Sequence, residues 1–480
     1  MAWRIGVDPG DTFTGVCLFD DSTGRVAFWQ VPSTPDDPAR GIAQGIGEAL
    51  SRAGADIADV ATRLPVRPMP PAPSSGVVAA RAFASLAAFA DLITFDMSGA
   101  STAFALPAQS DATPPGRPAP APEIHTVAAG GFSIARVGAG GTLQVGPCSA
   151  GTGPGPVCSG RGTADPTVTD AHIMLRTLNP EGLSGGRLPV DPELANRAVA
   201  ELAGQLGIDP LPAAQGIASA VIAVIANAIR AIKLPNNPTL VAFGGAGPLH
   251  AARLARSLDI ARILVPPRPG LLGALGKLLT DVRAEFCASA PIELGAEALP
   301  AIAEAFGLLR HRAAVWFAEE RIPAEARRVT RSVDLRPAGQ MQALTVPLPE
   351  GPVTAATLEA LAGRFAAARQ RLHGVMPGGG SPQIIACRVE AEGLLARPRF
   401  QPHQDAGPDA AAACTGSREV WLPEAGGWVK CPVYDRDRLT TGNRTAGPAI
   451  IEEMDATTLI LPGMTARVDP YLSLILEGGE

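Results

Sequence analysis

Aromatic residues are scarce, with 14 Phe, 5 Trp and 2 Tyr in 480 residues. Ala, Val, Leu and Ile must fill the interior instead, which favours thin α/β layers over a large aromatic core. Neither sign of charge is in excess: 40 Lys and Arg stand against 46 Asp and Glu, for a net charge of −6. That balance gives no general attraction to nucleic acid or anionic lipid, and neither is expected as a partner. The seven cysteines form no CxxC pair. Cys148 and Cys158 flank a Gly-Pro loop but have no His pair beside them, which argues against zinc; buried, reduced thiols are expected. No charged-then-apolar leader opens the chain, because Gly6, Asp8 and Asp11 come too early. The most apolar run, 216–232 (GIASAVIAVIANAIRAI), is interrupted by Asn227 and Arg230. It reads as a buried helix rather than a membrane span. A soluble, cytoplasmic protein is the expectation.

Glycine and proline are plentiful, at 53 and 47 residues, and they gather in stretches. Segment 64–75 (LPVRPMPPAPSS) and segment 107–122 read as extended straps, and 147–166 reads as loop. Short strands are expected at 3–9, 14–20 and 25–31, followed by a helix whose start is marked by Asp36, Asp37 and Pro38. A helical region is expected from about 191 to 234, broken near Pro210 and Pro212. A β-α-β unit follows at 240–265. The length suits two or three domains. The expected organisation is a truncated first lobe at 1–62, a Pro-rich linker at 63–75 and a second lobe at 76–290. An α+β domain at 291–401, a linker at 402–417 and a β-rich C-terminal module at 418–480 complete it.

Three glycine-bearing turns each follow an apolar strand. They are Asp8-Pro9-Gly10-Asp11-Thr12-Phe13-Thr14, Asp96-Met97-Ser98-Gly99-Ala100-Ser101-Thr102 and Gly244-Gly245-Ala246-Gly247-Pro248. Backbone amides of such turns face outward, and small residues allow a phosphate to come close. Thr12, Thr14, Ser101 and Thr102 add hydroxyl donors, while Asp8 and Asp96 are the pair that would hold a hydrated Mg²⁺. Either Asp turn taken alone is more often an ordinary hairpin, and the third turn also reads as a cap for its own helix. The ordered set of three is what carries information: two Asp-led turns and a distal Gly-Gly turn opening a helix suit a two-lobed ATP site.

The segments RIGVDPGDTFTGVCLFD, ITFDMSGASTAFAL, EIHTVAAGGFSIA, VGPCSAGTGPGPVCSGRGTADPTVTDAHIML, LVAFGGAGPLHAARLA, RILVPPRPGLLGALGKLLTDVR and GPAIIEEMDATTLI occur in this order. In them the chain resembles the A-type subunit of the hydantoinase/5-oxoprolinase family, which is similar to the β subunit of acetone carboxylase. The resemblance implies an actin-like ATPase (ribonuclease H-like) α/β fold in two lobes. It implies ATP and Mg²⁺ as cofactors, with Asp8 and Asp96 catalytic. Gly10, Thr12, Thr14, Gly99, Ser101, Thr102, Gly244, Gly245, Ala246 and Gly247 would bind the nucleotide, and His125, in the family's His-Thr motif, is a substrate-side candidate. His172 is expected to serve packing. Such subunits phosphorylate a lactam, imide or carbonyl oxygen and work in a hetero-oligomer with a B-type hydantoinase/oxoprolinase or carboxylase subunit.

Departures from the family pattern fall on the chemistry. Asp11 replaces the second Gly of Asp-x-Gly-Gly-Thr-x-Thr-Asp, and Gly15 replaces its last Asp. In the second turn Ala103 replaces another Asp. A strap of about a dozen residues also stands where the family has a long segment of the first lobe, so that lobe is expected to be reduced. These losses favour a second reading, an inactive scaffold subunit of such a complex.

Overall fold

The structure, a computed structural model, describes residues 3–10, 12–20, 22–34, 36–57, 60–63, 75–106, 123–161, 164–183, 189–349, 351–373, 382–395 and 397–478. Asp11, the segment 107–122 and all of the strap 64–75 except Ser75 lie outside the described residues.

The first lobe comprises β1 (Trp3–Pro9), β2 (Phe13–Asp20), β3 (Val26–Pro32), α1 (Pro38–Ala53) and β4 (Val60–Arg63). Its sheet has the order β3-β2-β1-β4. The first three strands form an antiparallel meander, and β4 lies parallel to β1. The β2–β3 turn is set by Asp20, whose carboxylate accepts from Ser22 N (2.8 Å), Ser22 Oγ (2.6 Å) and Thr23 Oγ1 (2.7 Å). The Ser22 and Thr23 hydroxyls hold that carboxyl down at about 2. Asp37 caps α1, Pro38 opens it, and Gly54 in the left-handed region ends it. Alternation sorts the strand faces: Trp3, Ile5, Val16, Leu18, Trp29 and Val31 pack with Ala49 and Leu50 of α1. Cys17 and Phe19 point to the opposite face.

The second lobe contains α2 (Ser75–Leu86), β5 (Leu92–Met97), β6 (Thr102–Ala105), β7 (Ile124–Val127), β8 (Ser133–Val137) and β9 (Leu143–Ser149). It continues with α3 (Val168–Met174), α4 (Pro192–Leu206), α5 (Pro210–Arg230), β10 (Thr239–Phe243), α6 (Gly247–Ser257), β11 (Arg262–Val265) and α7 (Leu272–Leu279). Its strands β7-β6-β5-β10 repeat the order and directions of β3-β2-β1-β4, and β11 adds a further parallel strand. This repetition is the two-lobed actin-like architecture, with the first lobe reduced by one strand among the described residues. The expected helical region is two helices, because Gly207 ends α4 and Pro210 opens α5. α5 is long and apolar enough to cross a membrane by length and composition, yet Ile217, Val221, Ile225 and Ile229 are fully buried in the core under the second sheet.

Residues Thr280–Arg397 form a separate compact unit, which opens earlier than the 291 expected, where a strand begins right after α7. Its elements are β12 (Val282–Glu293), α8 (Leu299–Glu319), β13 (Arg327–Arg336), β14 (Leu344–Leu348), α9 (Ala355–His373) and β15 (Gln383–Gly393). The sheet β12-β15-β13-β14 is antiparallel throughout.

The C-terminal segment belongs with the two lobes. It supplies β16 (Cys414–Leu422), β17 (Gly427–Asp435), β18 (Arg444–Ala446), β19 (Ala449–Glu452), β20 (Thr457–Ile460), β21 (Met464–Val468) and β22 (Leu474–Gly478). β16, β17, β19 and β20 make a small sheet. β22 pairs antiparallel with β11, from Arg262↔Glu477 to Val265↔Leu474, and β21 and β18 follow it outward. The β-rich C-terminal segment is thus partly an extension of the second-lobe sheet. Arg253 of α6 also grips Glu424 with two bonds, 2.7 and 3.0 Å, between β16 and β17.

Candidate functional site

A cleft of about 1440 Å³ gathers the ends of both sheets' strands. Asp8 closes β1, Asp96 lies near the end of β5, and the Gly244 turn joins β10 to α6, so all three turns found in the sequence reach one cavity. Asp96 is half-buried, and burial together with the Asp8 charge pushes its carboxyl up to about 7. Asp8 Oδ1 lies 3.2 Å from Lys277 Nζ. On the other side of Asp8 the backbone of α7 comes so close that a Cβ at Gly273 would lie 1.7 Å from Asp8 Oδ2.

Gly244 sits at φ +79°, and a Cβ there would lie 2.4 Å from Met97 O and 2.5 Å from Asp96 Oδ1. The turn is pinned by Gly244 N to Pro269 O (2.9 Å) and by Ala246 N to Met97 O (3.0 Å). Gly244, Gly245 and Ala246 line the cleft at the N-terminus of α6, where backbone amides favour an anion.

The first two turns differ in detail from expectation. Gly10, Thr12, Thr14 and Gly99 line the cleft. However, the Gly10 amide bonds within its own turn, to Asp8 O (3.0 Å) and Phe13 O (3.1 Å), and the buried Thr14 hydroxyl pairs with Ser33 Oγ at 3.1 Å. Ser101, Thr102, Gly247 and His125 do not line it. The β5–β6 turn is tight, with Ser98 N bonded to Ser101 O (3.0 Å), so only its tip is presented. Thr102 already belongs to β6, fully buried, and gives its hydroxyl to Ala129 O (2.7 Å). His125 sits on β7 opposite Phe104, on whose ring it stacks at 5.3 Å.

Three features were missed in the sequence. The first is α3, capped by Thr167 and Asp170 in a reciprocal box. Asp170 also accepts from Val157 N (3.1 Å) and Cys158 N (2.7 Å), which fixes the glycine-rich loop before it. The second is a buried imidazole pair lining the cleft, with the His172 and His250 rings edge to face at 4.7 Å. Thr177 Oγ1 donates to His172 O (3.2 Å), so it accepts from His172 Nδ1 (2.7 Å), leaving Nε2 as the bare nitrogen. Burial holds both rings well below the ordinary histidine range, His250 at about 3. The third is the loop after β19. Asp455 accepts from Gly270 N (2.7 Å), Glu453 accepts from Arg268 N (3.2 Å), and Gln30 of β3 donates to Met454 O (3.1 Å). Burial raises both acids, Glu453 further through the Asp455 charge. The legible signal was an acidic run, Glu452-Glu453-Met454-Asp455, ending an apolar strand as Asp8 and Asp96 do. Among the described residues no group of three or more His, Cys, Asp or Glu side chains is arranged to hold a metal ion.

Comparison with known proteins supplies the context. Three family models match along the chain: Hydantoinase/oxoprolinase N-terminal region at 4–64, Hydantoinase/oxoprolinase at 52–286 and Hydantoinase/oxoprolinase C-terminal domain at 290–477. The caprolactamase subunit alpha of Pseudomonas jessenii is 30% identical over 367 residues, covering 75% of this chain and 53% of its own. The acetophenone carboxylase gamma subunit of Aromatoleum aromaticum is 32% identical over 371 residues, covering 73% and 50%. The chain spans about half the length of the curated relatives it matches. Among solved structures, a chain of nucleotide-free acetone carboxylase superposes with a TM-score of 0.79 at 16% identity, covering 99% of both chains. At that identity the likeness shows the fold alone. The ATP-dependent caprolactamase from Pseudomonas jessenii gives 0.60 at 29% identity, covering 85% of this chain and 62% of that one.

Proposed function

The chain belongs to the hydantoinase/oxoprolinase family, and from that premise we propose that it is the nucleotide-binding subunit of an ATP-dependent amidohydrolase or carboxylase. The observation that carries the reading is the convergence of Asp8, Asp96 and the Gly244 turn on one cleft, close enough for the Asp8 charge to raise the Asp96 carboxyl. A B-type subunit is the proposed partner, and ATP the nucleotide.

Phosphorylation turns a poor electrophile into a reactive one. The lactam, imide or carbonyl oxygen attacks the γ-phosphorus, and an O–P bond forms as the bond to ADP breaks. ADP leaves with that electron pair. For a lactam or imide, water at the partner's site then adds to the activated carbon, the C–N bond breaks with its electron pair going to a nitrogen that takes up a proton, and a second water splits the resulting acyl phosphate into carboxylate and inorganic phosphate. For a ketone, phosphorylated as its enol with loss of an α-proton, bicarbonate takes the phosphoryl group, the carboxyphosphate splits into CO2 and inorganic phosphate, and the freed enolate carbon bonds to CO2. This chain's share is positioning and charge neutralisation. Gly244 N and Ala246 N pin the turn, so Gly245 N and the first turn of α6 are what it offers to phosphate oxygens. With no cation beside it, Asp96 titrates at about 7 and holds a proton for part of the time at neutral pH; a bound cation would keep it ionised.

Magnesium fits these residues. Two carboxylates face one cavity, and the missing Cβ atoms at Gly244 and Gly273 leave room around both. Asp8 and Asp96 would hold a hydrated ion that takes its other ligands from water and phosphate. When bound, it would neutralise triphosphate charge.

One observation favours the second reading, a scaffold without phosphoryl transfer. Restoring a carboxylate at 15 requires the buried Leu271 side chain to move, because a Cβ there would lie 2.8 Å from Leu271 Cδ2. The test is ADP release by the chain complexed with a B-type subunit, screened over lactams, imides and ketones with bicarbonate. The enzyme reading expects substrate-dependent release that Asp8→Ala abolishes. Release that survives Asp8→Ala contradicts the role of Asp8, and none from an intact complex supports the scaffold.

A further inference from the structure

β1 is paired with β2 along its whole length, from Trp3↔Asp20 to Pro9↔Thr14; among the described residues, β4 meets Trp3, Arg4 and Ile5 on its other side. Because Gly10 N bonds across to Phe13 O, the two-residue alternation of an antiparallel ladder sends the Asp8 peptide groups toward β2. It sends those of Val7 and Pro9 the other way, to the side on which β4 lies. Pro9 brings no N–H to that edge. The Val7 carbonyl does need a donor, and Lys277 Nζ supplies it at 2.5 Å. The same ammonium stands 3.2 Å from Asp8 Oδ1. Gly273, four residues earlier and so on the same face of α7, lets the helix backbone approach Asp8 Oδ2.

We infer that Lys277 is the positioning residue of Asp8: it bonds the Val7 carbonyl on the β1 edge and holds the carboxylate that faces the cleft. Lys277 and Asp8 are 39% and 44% exposed in their side chains, so their attraction alone is screened and adds little to stability. What the contact supplies is orientation. One ammonium engages a backbone carbonyl and a carboxylate of consecutive residues, while the α7 backbone at Gly273 packs against the other carboxylate oxygen. The Val7 carbonyl takes its donor from a side chain of α7, which ties the first lobe to the helix that follows β11.

The inference rests on the reading of Asp8 as part of a nucleotide site, and the test separates the two. Mg·ATP binding is titrated for the wild-type chain, Lys277→Met, Lys277→Arg, Asp8→Ala and the Lys277→Met/Asp8→Ala double variant, and urea midpoints are measured for all five. Lys277→Met is expected to weaken binding about tenfold, the scale of a misplaced but intact group. Lys277→Arg should recover most of the loss, and the double variant should be little worse than Asp8→Ala alone. Wild-type binding by Lys277→Met, or losses that multiply in the double variant, would overturn the inference. If the wild-type chain binds no ATP either alone or with a co-expressed B-type subunit, the nucleotide reading fails and the urea midpoints decide. Shifts smaller in the double variant than the two single shifts combined support the pairing, and strictly additive shifts overturn it.

Discussion

Gly244→Ala is expected to weaken ATP binding by about a hundredfold or more, since backbone strain alone at such a position costs of order 1–3 kcal/mol. The residue sits at φ +79°, and its Cβ would meet Met97 O at 2.4 Å and Asp96 Oδ1 at 2.5 Å. Neither neighbour can retreat cheaply. Met97 O is already the acceptor for Ala246 N, and moving Asp96 displaces a carboxyl the site depends on. The turn must therefore shift as a unit, taking the α6 amides away from the phosphates. Calorimetric titration with Mg·ATP reads the effect, and far-ultraviolet circular dichroism verifies that the variant is folded. A folded variant with wild-type affinity would remove this turn from the site.

Gly276→Ala is expected to be strongly destabilising. Its Cβ would lie 1.7 Å from Ser75 O and 2.3 Å from Ser75 C, so α7 and α2 touch backbone to backbone at that point. No rotamer change relieves such an overlap. The helices must separate, at a cost of about 3 kcal/mol or more, which lowers the melting temperature by about 6–12 °C in a domain of this class. Gly204→Ala in α4 is the control, because nothing lies within 4 Å of its added Cβ. It should be neutral or stabilise by about 0.5–1 kcal/mol through helix propensity. Equal melting temperatures for Gly276→Ala and Gly204→Ala would contradict the packing account.

Much of this architecture was legible because its signals are local. Asp20 and Gly24 mark the β2–β3 hairpin, Asp37-Pro38 marks the start of α1, and Gly207 and Pro210 mark the break between α4 and α5. Each is a residue type whose side chain or backbone dictates its own few peptide groups. The three glycine turns were legible for the same reason, and their order along the chain placed them in one cavity. Failures came where the deciding partner is distant. Nothing in residues 474–478 says that they pair with 262–265 rather than with the small sheet beside them in sequence. Lys277 reads as one charge on an apolar helix until its bond to the Val7 carbonyl is seen. Thr102 looked like a phosphate ligand because its position in the motif was right, but a tight turn made it the first residue of β6 and turned its hydroxyl inward. The Thr167–Asp170 box was readable and was passed over in a stretch rich in glycine and proline. Gly15 looked like simple loss of a carboxylate. The structure adds that Leu271 fills the space a side chain there would need.

Calorimetric titration of Mg·ATP into the purified chain, repeated with a co-expressed B-type subunit, tests the central claim most directly. The account predicts saturable binding at one site in at least one of the two states, lost in Asp8→Ala. No heat in either state, with the complex shown to be intact, would contradict it and leave the chain a scaffold.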